Sequence, residues 1–235
     1  MAEKKKVCLV TGVGPGTGAA LAERFAVGGY DVAMLARSKD RLREIEGRVT
    51  GAHAYACDVS DAASLAGTIE SVSEDFGMPS IVVHNAVGGA FGNFLDIKPE
   101  VLERNFQVNV MALLNICQQV VPSMIKAGEG VVMATGNTSA YRGKANFAGF
   151  APTKAAQRIL LESVARDAGP KGVHAAYVAI DAVIDVPWAR EAMPDQPDDF
   201  FAKPVDIAEE CFRVAHQPRS TWTFDTIIRP FGENW

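Results

Sequence analysis

Val7-Cys8-Leu9-Val10-Thr11-Gly12-Val13-Gly14-Pro15-Gly16-Thr17-Gly18 is the stretch that decides the fold of this 235-residue chain. Its apolar start reads as a short buried strand and the alternating glycines as a turn. Ala19 then opens a run in which Leu21 and Phe25 share one helix face. A strand, a glycine turn and a helix in that order bring backbone amides to a helix N-terminus, where the peptide dipoles favour negative charge. The missing side chains let a pyrophosphate approach the backbone closely. Glycines also serve plain chain reversal. Their place after the first strand and at the mouth of the first helix favours dinucleotide binding.

Outward from this junction, strand-like and helix-like segments alternate. Strands are expected at 31–36, 52–57, 80–84, 130–135, 173–180 and 221–228. Ser38 caps a charged helix over 39–49. Asp61 caps another, in which Leu65, Ile69, Val72 and Phe76 form an amphipathic stripe. A glycine-rich loop, 88–92, leads to a long helix over 99–126, expected to kink near Pro122. A helix over 153–168 stops at Gly169-Pro170, and a short one covers 204–216. Residues 181–203, with Pro187, Pro194 and Pro197, read as an irregular flap. Repeated β-α order implies an α/β protein: a parallel seven-stranded sheet, helices on both faces, doubly wound as one domain over 1–235.

Composition narrows the function. The chain is 48% hydrophobic and 22% charged, with a net charge of −5, which argues against the basic face of a nucleic-acid binder. No apolar run approaches the roughly 18–20 residues of a membrane span, and no signal-peptide core follows the basic start. Cys8, Cys57, Cys117 and Cys211 are scattered, which excludes a disulfide scaffold and speaks against a zinc ribbon. The expectation is a cytoplasmic, metal-free domain acting on a small molecule, without nucleic acid or membrane as partner.

The pattern Thr11-Gly12-x-x-x-Gly16-x-Gly18, with the motifs that follow it as far as Pro187, resembles the short-chain dehydrogenase/reductase family, whose fold is of Rossmann type. The resemblance implies that Gly12, Gly16 and Gly18 hold the diphosphate of a nicotinamide cofactor, with Gly14 and Thr17 in the same loop. It implies that Asp58-Val59 lies by the adenine and that Asn85-Ala86 belongs to the family's segment after strand four. At the end of strand two an acidic residue would hold a ribose 2′-hydroxyl. Here Ala36-Arg37-Ser38 offers a guanidinium and a hydroxyl, which suit a 2′-phosphate, so NADP(H) is expected over NAD(H).

The family's catalytic group is an Asn, a Ser, a Tyr and a Lys, the last two as Tyr-x-x-x-Lys. Lys154 matches, but the Tyr position is Phe150, which has no proton to give. A general acid is typically worth about 10²–10⁴ in rate. The Ser position falls on Asn137, with Thr138 and Ser139 next to it; the Asn position falls on Asn109. A variant spacing, with the Tyr seven residues before the Lys, meets Phe147. Tyr141 is the nearest phenol in sequence and is a candidate substitute donor, as is a bound water. Arg142 and Lys144 beside it could meet an anionic substrate group. Asp181-Ala182 replaces the usual Pro-Gly after strand six; Asp181 could accept the nicotinamide carboxamide hydrogens or cap the flap, in which Trp188 could close over substrate or simply pack.

Three functions remain open at this stage, the least favoured being a non-redox enzyme, such as a dehydratase or lyase, on the same fold. One is an NADP(H)-dependent oxidoreductase moving hydride between nicotinamide and a small carbonyl, alcohol or activated alkene. Another is a weak or inactive NADP(H)-binding sensor or scaffold. The resemblance also implies a homodimer or homotetramer through the two long helices, on which Val110, Leu113, Ile159 and Leu160 could serve that interface or the sheet face.

Overall fold

The computed structural model describes residues 5–233. In chain order it contains β1 (Val7–Thr11), α1 (Thr17–Val27), β2 (Asp31–Ala36), α2 (Lys39–Arg48), β3 (Ala52–Ala56), α3 (Ala62–Phe76) and β4 (Ile81–His84). There follow α4 (Pro99–Phe106), a π turn (Gln107–Met111), α5 (Ala112–Ala127), β5 (Gly130–Gly136), α6 (Ala151–Ala168) and β6 (Val173–Ile180). The chain ends with β7 (Val183–Ile184), α7 (Pro187–Ala192), β8 (Phe201–Ala202), α8 (Pro204–Ala215) and β9 (Asp225–Ile228).

Seven strands form one parallel sheet in the order β3-β2-β1-β4-β5-β6-β9. The order reverses between β1 and β4, and the carboxyl ends of the strands at such a switch point are where ligands bind in open α/β sheets. Alternation along β1 shows how the sequence builds two cores. Val7 and Leu9 face the layer of α3, α5 and α6, packing with Leu65, Leu113, Ile116 and Leu161. Cys8 and Val10 face the layer of α1, α2 and α8, packing with Leu21, Phe25, Leu42 and Cys211. Each such side chain, buried to 0% exposure at Leu9 and Leu21, contributes about 1.5–3 kcal/mol.

The structure corrects several expectations. The long helix changes pitch at Gln107–Met111, while Pro122 sits inside α5. The run Pro99–Ala127 has the length and apolar composition of a membrane span, contrary to the sequence reading. Leu113, Ile116, Val120 and Met124 on it are core residues of the α/β fold. The flap is ordered: β7 and β8 pair, Arg190 holds Asp185 at 2.7 Å, and α7 lies between the two strands. The last strand begins at Asp225, because Arg219–Thr221 form a 3₁₀ turn. Between interface and sheet face, Leu113 takes the sheet face, fully buried, while Ile159 is 56% exposed.

Candidate active site

The glycine loop is held by backbone geometry that only glycine supplies at two positions. Gly12 has φ +71°, and a Cβ there would lie 2.4 Å from Ala86 Cα; a Cβ on Gly18 would lie 2.6 Å from the Gly12 carbonyl oxygen. The loop therefore packs directly on the segment after β4. Asn85 fastens it from the side, donating from Nδ2 to the Gly12 carbonyl (3.0 Å) and accepting at Oδ1 from the Thr135 hydroxyl (2.9 Å). Gly14 faces open space, and a Cβ on Gly16 would meet Val186 of the flap at 2.7 Å. At the start of α1, which has no acidic residue in its first turn, the buried Thr17 hydroxyl has no hydrogen-bond partner among the described residues. An orphaned hydroxyl beside helix N-terminal amides fits a phosphate. A nicotinamide dinucleotide therefore suits this loop.

Arg37 is exposed at the end of β2, and Ser38 caps α2. Asp58 binds Ser60, which with the nearby Arg37 holds its carboxyl below the usual range; the helix cap is Asp61. Val59 and Ala86 are buried.

Behind the loop a polar relay is closed at every atom. The Ala86 N–H donates to Thr11 Oγ1 (3.2 Å), and that hydroxyl pairs with His84 Nδ1 (2.9 Å). His84 Nε2 pairs with the Val108 carbonyl at 3.1 Å. A carbonyl only accepts, so the proton is assigned to Nε2 and Thr11 donates to Nδ1. Burial, reinforced by the charge of Lys154, pushes His84 down to about 3.

Asn109, in the π turn, clasps Gly88: its Oδ1 accepts from the Gly88 N–H and its Nδ2 donates to the Gly88 carbonyl, both at 2.8 Å. The same Nδ2 reaches Thr153 Oγ1 at 2.8 Å. Lys154 is 2% exposed; its Nζ donates to Gln157 Oε1 (3.0 Å) and the Thr135 carbonyl (3.3 Å), and burial lowers its pKa to about 7. The Phe150 ring centroid lies 5.7 Å from that nitrogen. Phe150 packs with Phe91 and Phe147, and an isolated bridge between Gly92 and Phe147 ties the β4–α4 loop to the segment before α6.

The remaining candidates are placed differently. Asn137 Nδ2 donates to the Ile180 carbonyl (2.9 Å), and its Oδ1 accepts from Ser139. Thr138 Oγ1 donates to Asp181 Oδ1, and Arg142 Nη2 stands 3.7 Å from Asp181 Oδ2. Tyr141 turns to the sheet edge, where its hydroxyl donates to Asp225 Oδ1 at 2.7 Å; burial and that bond push the phenol up to about 12. Its proton is committed there. Lys144 lies over the Phe147 ring, and Trp188 is exposed. Sequence reasoning missed His84, Thr153 and Gln157, and read Thr11 only as the first residue of the glycine pattern. Gln157 stands one helical turn after Lys154, a spacing that places both on one face.

A glycine loop at the switch point of a doubly wound sheet, with a buried lysine and asparagine near it, is the arrangement expected of a nucleotide-binding α/β protein. The family model for short chain dehydrogenase matches residues 6–196, and the chain belongs to this family of NAD(P)-dependent oxidoreductases. A 7alpha-hydroxysteroid dehydrogenase from Escherichia coli (strain K12) is 26% identical, with 97% of this chain and 93% of that protein aligned. The alcohol dehydrogenase of the archaeon Thermococcus sibiricus, solved with 5-hydroxy-NADP, superposes with a TM-score of 0.88 at 26% identity, covering 98% of each chain. An NADPH-bound short chain oxidoreductase from Pseudomonas aeruginosa PAO1, described as containing an atypical catalytic center, shares the fold with a TM-score of 0.88. It is 22% identical, covering 98% of this chain and 97% of that one.

Proposed function

We propose that the protein is an NADP(H)-preferring oxidoreductase that moves hydride between the cofactor and a small carbonyl, alcohol or activated alkene, with a modified catalytic set. The observation that carries this reading is the pairing of an intact glycine cradle with an exposed Arg37 that makes no side-chain hydrogen bond or ion pair among the described residues. A guanidinium in that state is available to a 2′-phosphate. The relative from Thermococcus sibiricus, solved with an NADP derivative, is in keeping with it.

Gly12, Gly16, Thr17 and Gly18 would receive the diphosphate, Arg37 and Ser38 the 2′-phosphate, and Asp58 and Val59 the adenine side. Bound in this way, the cofactor supplies or accepts hydride. Lys154 would hold the nicotinamide ribose, and its low pKa keeps a proton exchangeable near neutrality. Asn109 fixes the Gly88 backbone, and Phe150 lines the place of the missing phenol. Alkene reduction suits this set, because its first step needs an enolate stabiliser more than a strong acid. The exposed Ile159 on α6 is the residue we assign to contact with a second copy.

A second reading, an NADP(H)-binding protein with little turnover, is favoured by one observation: the nearest phenol, Tyr141, is bound to Asp225. NADPH consumption across ketones, aldehydes and enones by wild type and Phe150→Tyr separates the two. Wild-type turnover supports the oxidoreductase. Turnover gained only with Phe150→Tyr supports the binding protein.

A further inference from the structure

At the carboxyl end of β6 a carboxylate is buried with one oxygen left over. Asp181 is 7% exposed. Its N–H donates to the Ile228 carbonyl at 2.9 Å, and its Oδ1 accepts from the Thr138 hydroxyl. Its Oδ2 is buried and receives no hydrogen bond among the described residues, the Arg142 Nη2 lying within ion-pair range but not bonded to it.

The donors of Asn137 and Ser139 are spent elsewhere. Asn137 gives its Nδ2 to the Ile180 carbonyl and its N–H to the Tyr177 hydroxyl oxygen; the Ser139 hydroxyl turns to Asn137. A buried carboxylate oxygen without a donor costs free energy that a ligand N–H would recover. Thr138 and Asp181 follow β5 and β6 at the edge of the sheet where ligands of this fold sit, and Lys154 is anchored to β5 at Thr135.

We propose that Asp181 Oδ2 receives an N–H of the nicotinamide carboxamide and that its charge makes the site hold the oxidised cofactor in preference to the reduced one. The proposal rests on the NADP(H) reading above. The oxidised nicotinamide ring carries a positive charge and the reduced ring none, so a carboxylate fixed at its side chain attracts only the former. Arg142 offsets part of this, but its side chain is 35% exposed against 10% for Asp181, and solvent screens the more exposed charge. Lys154 opposes the effect equally in wild type and in an Asp181 variant. A comparison of the two therefore isolates Asp181.

The test is calorimetric titration of wild type, Asp181→Asn and Arg142→Ala with NADP⁺, NADPH and 2′,5′-ADP, the last lacking a nicotinamide. In Asp181→Asn, which keeps the shape and can still accept from Thr138, the preference for NADP⁺ over NADPH should fall about tenfold, equivalent to about 1.4 kcal/mol. Arg142→Ala should raise that preference. Affinity for 2′,5′-ADP should hold in both. An unchanged NADP⁺/NADPH preference with both nucleotides still bound overturns the proposal, as does a change matched by equal loss of 2′,5′-ADP binding. Wild type that binds none of the three overturns instead the reading of the site on which the proposal stands.

Discussion

His84 Nε2 and the carbonyl oxygen of Val108 lie 3.1 Å apart, and this bond joins the end of β4 to the π turn of the long helix. A π turn shifts the helical pairing by one residue and leaves a carbonyl available to a side chain. The next residue, Asn109, is thereby turned onto Gly88. The relay from Ala86 through Thr11 and His84 thus sets the register of Asn109.

Replacing His84 by Ala strands the Thr11 hydroxyl and the Val108 carbonyl in the core. The expected loss is roughly 2–4 kcal/mol, read by urea denaturation at pH 7. The wild type also carries an acid liability here. His84 has a folded pKa of about 3, below its unfolded value, so the unfolded chain takes up a proton that the folded one refuses. Stability contributed by this group falls as pH drops from about 6.5 to about 3. Wild type should show this slope, and His84→Ala should lack it.

Gly12→Ala places a Cβ 2.4 Å from Ala86 Cα at a φ of +71°. The obstacle is backbone and cannot swing away. The variant should lose about 1–3 kcal/mol in stability and fail to bind NADPH. Gly14→Ala, whose Cβ meets nothing within 4 Å, should melt as wild type does. Thermal denaturation of the pair checks this.

Arg37→Ala should weaken NADPH roughly tenfold to a hundredfold, as expected for losing a charged hydrogen bond of about 1.5–3 kcal/mol, while NADH binding stays within about twofold. Equal weakening of both nucleotides would remove the 2′-phosphate assignment.

Lys154 is buried, and burial lowers its pKa to about 7. An unfolded lysine stays protonated to much higher pH, so from about 7 upward the unfolded state binds more protons and stability rises with pH. Below about 7 the folded protein carries a buried charge. Lys154→Met should therefore stabilise the protein most at pH 6, with the gain shrinking toward pH 10. Denaturant midpoints across that range give the comparison.

The sheet, its two cores and the glycine turn between β1 and α1 were legible in the sequence because period-2 and helical periodicities and glycine spacing are local signals. Leu65, Ile69 and Val72 fall on one face of α3, as read. Asn109 and Lys154 were picked out by their position in the family pattern, and both are buried, bonded to Thr153 and Gln157. His84 was not, because a histidine ending an apolar strand carries no local mark of the π turn 24 residues later with which it bonds. Tyr141 looked available because sequence distance does not reveal that β9 brings Asp225 beneath its hydroxyl. Pro122 suggested a kink and lies inside α5; a change of pitch that it did not announce lies at Gln107–Met111, where His84 and Gly88 bond to the helix.

The bridge between Gly92 and Phe147 makes one mechanical piece of two loops that are far apart in the chain. Gly92 donates to the Asn146 carbonyl and accepts from Ala148, while Asn105 holds the Gly149 carbonyl at 2.7 Å. The joined loops are thereby riveted to α4, which carries Asn105. The β7–β8 segment pairs within itself and also packs Ile184 and Ala202 on the sheet core. A load on either of the two bridged loops is therefore carried by both.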